Sequence, residues 1–109
     1  MNLKGTLPTL ILEALEQEPK HGYLIAQRIK ERSRGVLDFK EGTLYPALQR
    51  LEMKGWVSAK WGVSTNNRKA RFYRLTPAGR KQLRAETRDW TQRTAIIERF
   101  FAVKAEDLK

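Results

Sequence analysis

Apolar residues recur at helical spacing from the start of the chain. Leu3, Leu7, Leu10, Ile11 and Ala14 fall three or four positions apart, with Leu15 beside them. This predicts a first helix over residues 6–17 with one inward stripe. Leu12 points off that stripe. It reads either as a scattered surface leucine or as a contact for a second subunit. Pro19 breaks the pattern and His21-Gly22 restarts it. A second helix is expected over residues 22–33, with Ile25 and Ile29 inward and Gly35 as its C-terminal cap. Val36, Leu37 and Phe39 then read as a short extended connector. Leu44, Leu48 and Leu51 stand at i, i+4 and i+7, so a third helix buries one face. Thr43 is its expected cap and Gly55 its end. Pro46 fits an early position, where a missing N–H costs nothing. Thr43, Gln49, Arg50 and Lys54 fall largely off the buried face.

The period then shortens to two. Residues 56–61 and 70–75 read as strands, joined by a polar turn over 62–69 that contains Asn66-Asn67. Arms this short are marginal alone and must pack on the helices. Thr76-Pro77 supplies a threonine cap and a proline at the first helical position. A fourth helix can then run to about Ala102. Leu83, Thr87, Trp90, Thr94, Ile97 and Phe101 recur at spacings of four and three, a coiled-coil seam. A second copy of the chain is the simplest cover for it; the alternative is back-packing on the first helix. The expected class is mostly α with a small β-hairpin: a winged helix-turn-helix over residues 1–75, then a dimerisation helix over 76–109 packed with helix one.

Charge sharpens this picture. The 109-residue chain carries 22 Lys and Arg against 12 Asp and Glu, a net +10. Such a balance favours nucleic acid, an acidic membrane surface or an acidic protein as partner. The excess is localised: no acid lies between Glu52 and Glu86, an interval that holds Arg68, Lys69, Arg71 and Arg74 among other cations. That block points to a polyanion, with a solvated basic surface as the alternative. There is no cysteine, so no disulfide framework or thiolate site, and the single histidine, His21, cannot form a histidine metal site. No cofactor is expected. No apolar run reaches membrane-spanning length and no signal-peptide core is visible, so the cytoplasm is the expected compartment.

Several runs resemble the PadR family of bacterial transcriptional regulators. They are His21-Gly22-Tyr23, Gly42-Thr43-Leu44-Tyr45-Pro46-Ala47-Leu48, Arg50-Leu51-Glu52 with Gly55, and Arg71-Phe72-Tyr73-Arg74-Leu75-Thr76 with Gly79. They cover about residues 5–80 in order. The short single C-terminal helix is similar to the compact branch of that family. The resemblance implies a homodimeric winged-helix repressor. It also implies control of detoxification, efflux or stress genes, with release by a small ligand.

In a helix-turn-helix protein, side chains near the start of the recognition helix reach base edges. Thr43, Tyr45, Gln49, Arg50 and Lys54 are the candidates. Gln49 can pair with adenine and Arg50 with guanine, whereas Tyr45 suits a phosphate or the core. Arg68, Lys69 and Arg71 would meet phosphates or enter the minor groove, and Arg74 could instead pair across the sheet. His21 is expected as a cap or backbone contact at helix two. Leu83, Trp90, Ile97 and Phe101 would form the dimer interface. Two-fold symmetry would bring two Trp90 indoles near one another, able to sandwich a flat aromatic molecule. Leu12 and Ile97 would line the same space. Short members of the family with a tryptophan there bind planar drugs; the alternative is that Trp90 only packs the interface. An enzyme finds no support: no Gly-rich phosphate loop, metal-ligand cluster or cysteine nucleophile is present. A membrane-surface role is weakened by Glu86, Asp89 and Glu98 on the last helix. A winged helix that binds protein instead of DNA remains the competing class.

Overall fold

The structure is a computed structural model and describes residues 4–107, with side chains from 5 to 102. Leu3, expected on the first apolar stripe, lies outside the described residues. A 3-10 turn over Lys4–Thr6 leads into α1 (Leu7–Ala14), shorter than expected. β1 (Lys20–His21) and α2 (Gly22–Arg32) follow, then α3 (Glu41–Met53). The hairpin is β2 (Val57–Val63) and β3 (Lys69–Leu75), and α4 (Pro77–Asp107) closes the chain.

α1 sits at the centre, in contact with α2, α3 and α4. Its position explains why Leu12 departs from expectation. The side chain is 0% exposed, enclosed in the core with Leu7, Ile11 and Leu15. A helix pressed from three sides is apolar almost all round, and the one-stripe pattern does not apply. α3 contributes Leu44, Ala47, Leu48 and Leu51 to the same core, as its spacing predicts.

The ends of the helices follow local chemistry. α2 ends in a left-handed pair, Arg34 at φ 55° and Gly35 at φ 82°. The Gly35 N–H donates to the Lys30 carbonyl at 2.8 Å, closing the cap. Gly55, at φ 76°, ends α3 in the same way, and the Trp56 N–H donates to the Leu51 carbonyl at 3.0 Å. The start of α3 differs from the sequence reading. Its N-cap is Lys40, without a side-chain cap, and Thr43 already lies inside the helix. Pro46 is therefore an interior proline, which leaves the carbonyl of exposed Gly42 without its usual helical donor.

The sheet has the order β1-β3-β2. In the hairpin Trp61 stands opposite Arg71 and Ala59 opposite Tyr73. The two-residue β1 adds a third strand, with Lys20 opposite Tyr73 and His21 opposite Phe72. Thr76 joins the wing to α4. Its hydroxyl donates to the Gly55 carbonyl at 2.6 Å and accepts from the Gly79 N–H at 3.0 Å. A side chain on Gly79 would put its Cβ 1.9 Å from the Trp56 carbonyl oxygen, so only glycine lets α4 start this close to β2.

The base of α4 packs back on α1. Thr9 donates to Glu86 at 2.6 Å, and Arg80 donates to the Glu16 carbonyl at 3.0 Å. Leu83, expected between copies, is 4% exposed and belongs to its own chain's core. Beyond this base the helix projects, and the molecule reaches 62 Å along its long axis.

Candidate nucleic-acid interface

A helix-and-hairpin arrangement leaves one face of α3 uncovered. Tyr45 and Gln49, one turn apart on that face, are exposed. The hairpin stands beside them, and the two surfaces enclose a cleft of about 800 Å³. Tyr45, Gln49, Trp61, Asn66, Arg68 and Lys69 are among its walls. The polar tip of the hairpin is held by local bonds. Ser64 N–H donates to the Arg68 carbonyl at 2.8 Å, and Asn67 adopts φ 57°. Arg68 and Lys69 are thus presented from an ordered turn, both exposed.

The expected residues divide into groups. Tyr45, Gln49, Arg68, Lys69 and Arg71 all line the cleft. Arg50 on α3 and Lys54 at its C-cap are exposed but are not among the cleft walls, and the Lys54 ammonium lies 4.8 Å from the centre of the Trp56 ring. Thr43 is half-buried. Tyr45 is neither core nor free: it is 43% exposed, and its ring packs over Gly22, where a Cβ would stand 3.2 Å from the hydroxyl. Arg71 departs from the expectation of a free phosphate contact. Its guanidinium is paired with Glu52 of α3 at 2.8 Å. Arg74 does pair across the sheet, donating to Ser58 at 3.2 Å.

Beneath the cleft, burial pushes the Tyr73 phenol above its usual pKa. The neighbouring Arg71 charge opposes this, and Glu52 and Tyr45 reinforce it. His21 serves as the extended N-cap of α2 without a side-chain cap bond, and its ring stands edge-on to Phe72 at 5.3 Å. Two further exposed aromatic residues, Tyr23 and Trp61, line the cleft, and neither is a candidate DNA contact on sequence grounds. The Lys69 ammonium lies 5.4 Å from the centre of the Trp61 ring. The signal for Trp61 was its alternation: on β2 it shares a face with Val57 and Ala59, the face that meets α3 at its base.

A second cavity, of about 610 Å³, lies beside Trp90. Thr9, Leu10 and Leu37 form one side, and Glu86, Asp89 and Arg93 another. Leu12 does not reach it, since it is enclosed in the core; Leu10 stands there instead. Ile97 lies further along α4 and is also outside it. Trp90, Ile97 and Phe101 are more than half exposed in the single chain. Among the described residues no three His, Cys, Asp or Glu side chains converge to hold a metal. Among the described residues no helix is long and apolar enough to cross a membrane.

A three-helix core, a hairpin at its edge and a cation-lined cleft define a winged-helix DNA-binding fold. The model of the PadR-like transcriptional regulator family matches residues 11–85, and the chain belongs to that family. It is 38% identical over 78 residues to the transcriptional regulator Rv3488 of Mycobacterium tuberculosis, covering 72% of this chain and 69% of that protein. A transcriptional regulator from Clostridium thermocellum superposes with a TM-score of 0.80 at 31% identity, over 90% of this chain and 92% of that one. A PadR family regulator from Clostridium difficile gives 0.78 at 29% identity, over 89% and 99%. The chain is therefore a DNA-binding transcriptional regulator and not an enzyme.

Proposed function

We propose that the protein is a homodimeric repressor that acts in the cytoplasm on a pseudo-palindromic operator. The observation that carries this reading is the convergence of the outer face of α3 and the basic hairpin on one cleft. Gln49 offers an amide suited to adenine and Arg50 a fork suited to guanine. Thr43, Tyr45 and Lys54 flank them and position the helix. Arg68 and Lys69 neutralise phosphates, so affinity falls steeply with salt. One short helix reads too few bases to be selective; two copies read half-sites about one helical turn apart. Trp90, Ile97 and Phe101 supply an apolar stripe for the second copy. A small planar aromatic effector held between two Trp90 indoles would release the DNA, and the cavity beside Trp90 leaves room for it.

The test is fluorescence anisotropy with a duplex from just upstream of the protein's own gene, beside a scrambled duplex, at near-physiological salt. Selective binding to the upstream duplex supports self-regulation. Equal weak binding to both moves the operator elsewhere. No binding by a folded dimer would favour a protein-interaction module and sink this reading.

A further inference from the structure

Glu52 and Arg71 face one another where the recognition helix meets the wing. Arg71 Nη2 donates to Glu52 Oε2 at 2.8 Å, and the Arg71 and Glu52 side chains are 40% and 31% exposed respectively. The guanidinium carbon also lies 5.8 Å from the centre of the Tyr73 ring, and that ring is buried in the core. Among the described residues no other ion pair joins α3 to the hairpin.

We infer that Glu52 and Arg71 form a brace that sets the angle between recognition helix and wing, and that Arg71 is a positioning residue and not a phosphate contact. The inference rests on the reading that both surfaces engage one duplex. Two seven-residue arms are marginal alone, so the hairpin takes its direction from what it touches. Base edges and phosphates must be met together, within about half an ångström. A partly exposed ion pair adds little to stability, so its effect falls on geometry. The brace also explains an acid in an unfavourable place. A carboxylate near a polyanion site weakens attraction, and Glu52 directs its charge at Arg71, which lines the cleft. The planar fork is needed to meet carboxylate and ring at once, which lysine cannot do.

Glu52→Gln, Arg71→Lys, Arg71→Gln and the double Gln variant test this. Each is titrated by anisotropy, across a salt series, against a duplex selected by the wild-type protein from a randomised pool and against a scrambled duplex. Removing the Glu52 charge should, on charge alone, leave or tighten binding to both. The brace predicts the reverse for the selected duplex. Its preference over the scrambled one drops about tenfold in Glu52→Gln and in Arg71→Lys. The salt slope stays unchanged, and the double variant loses no more than either single one. A slope reduced by about 0.9 in Arg71→Gln, with selectivity intact in Glu52→Gln, would make Arg71 a phosphate contact and overturn the brace. A lowered melting temperature with both duplexes bound as before would overturn it too, leaving a merely stabilising pair. Gln49→Ala and Arg68→Glu serve as controls. If neither changes binding, the interface reading fails and the brace with it.

Discussion

Leu12 carries different consequences in the core from those it would carry on a surface. Its enclosure by α1's neighbours means that Leu12→Ala opens a cavity inside one chain. The expected loss is about 2–5 kcal/mol, read from denaturant unfolding. DNA selectivity of the folded fraction should not change; a loss well under 1 kcal/mol would show that the side chain is not enclosed. Tyr73 gives a second prediction at this scale. Its folded pKa is raised, so the unfolded state releases the proton first as pH climbs. Stability from this group is intact below the ordinary phenol value of about 10 and declines above it. Tyr73→Phe should therefore flatten the alkaline fall of stability relative to wild type. Parallel curves for the two proteins would remove burial of that hydroxyl as the cause.

α3 and the wing should divide the work of recognition between them. A change at Gln49, which faces the cleft from the helix, should alter which sequences are preferred, at a cost of about 1–3 kcal/mol on the preferred one. Reversing charge at Arg68 on the turn and Lys69 at the start of β3 should weaken all duplexes about equally and flatten the salt dependence. Similar profiles for the two changes, across selected and random duplexes, would refute the division. The helices and hairpin behind this prediction are legible in the sequence because their periods of 3.6 and two are strong. The buried face Leu44, Leu48 and Leu51 appears where spacing puts it. Other features depend on tertiary partners and leave no periodic mark. β1 is two residues held by pairing with β3, without alternation of its own. The start of α3 at Glu41 lacks a side-chain cap, so Thr43 carries a cap signature without the role. Arg71 and Arg74 are both basic strand residues. Only the fold distinguishes the one paired with α3 from the one paired within the sheet.

For the whole molecule, the open question is what covers the outer part of α4. The helix has 31 residues, and packing on α1 accounts for its base, where Leu83 is enclosed. Past Trp90 the seam residues Ile97 and Phe101 are exposed, with Ile96 and Phe100 beside them. An apolar stripe of this length left in water is unusual for a monomer. A symmetric partner that presents the same stripe would cover it. Wild type should therefore sediment as a dimer, and the double variant Ile97→Asp, Phe101→Asp as a folded monomer. Both positions lie outside the core, so the melting of the winged domain should persist. Operator binding tests the link to function. A dimer engages two half-sites at once and gains from the second without new diffusion. The monomeric variant should lose preference for a full palindrome over an isolated half-site, while its weak, salt-dependent affinity for any duplex remains. If the variant stays dimeric, the seam is not the interface. If it is monomeric and still prefers the full palindrome, the two half-sites are not read by two copies joined along α4.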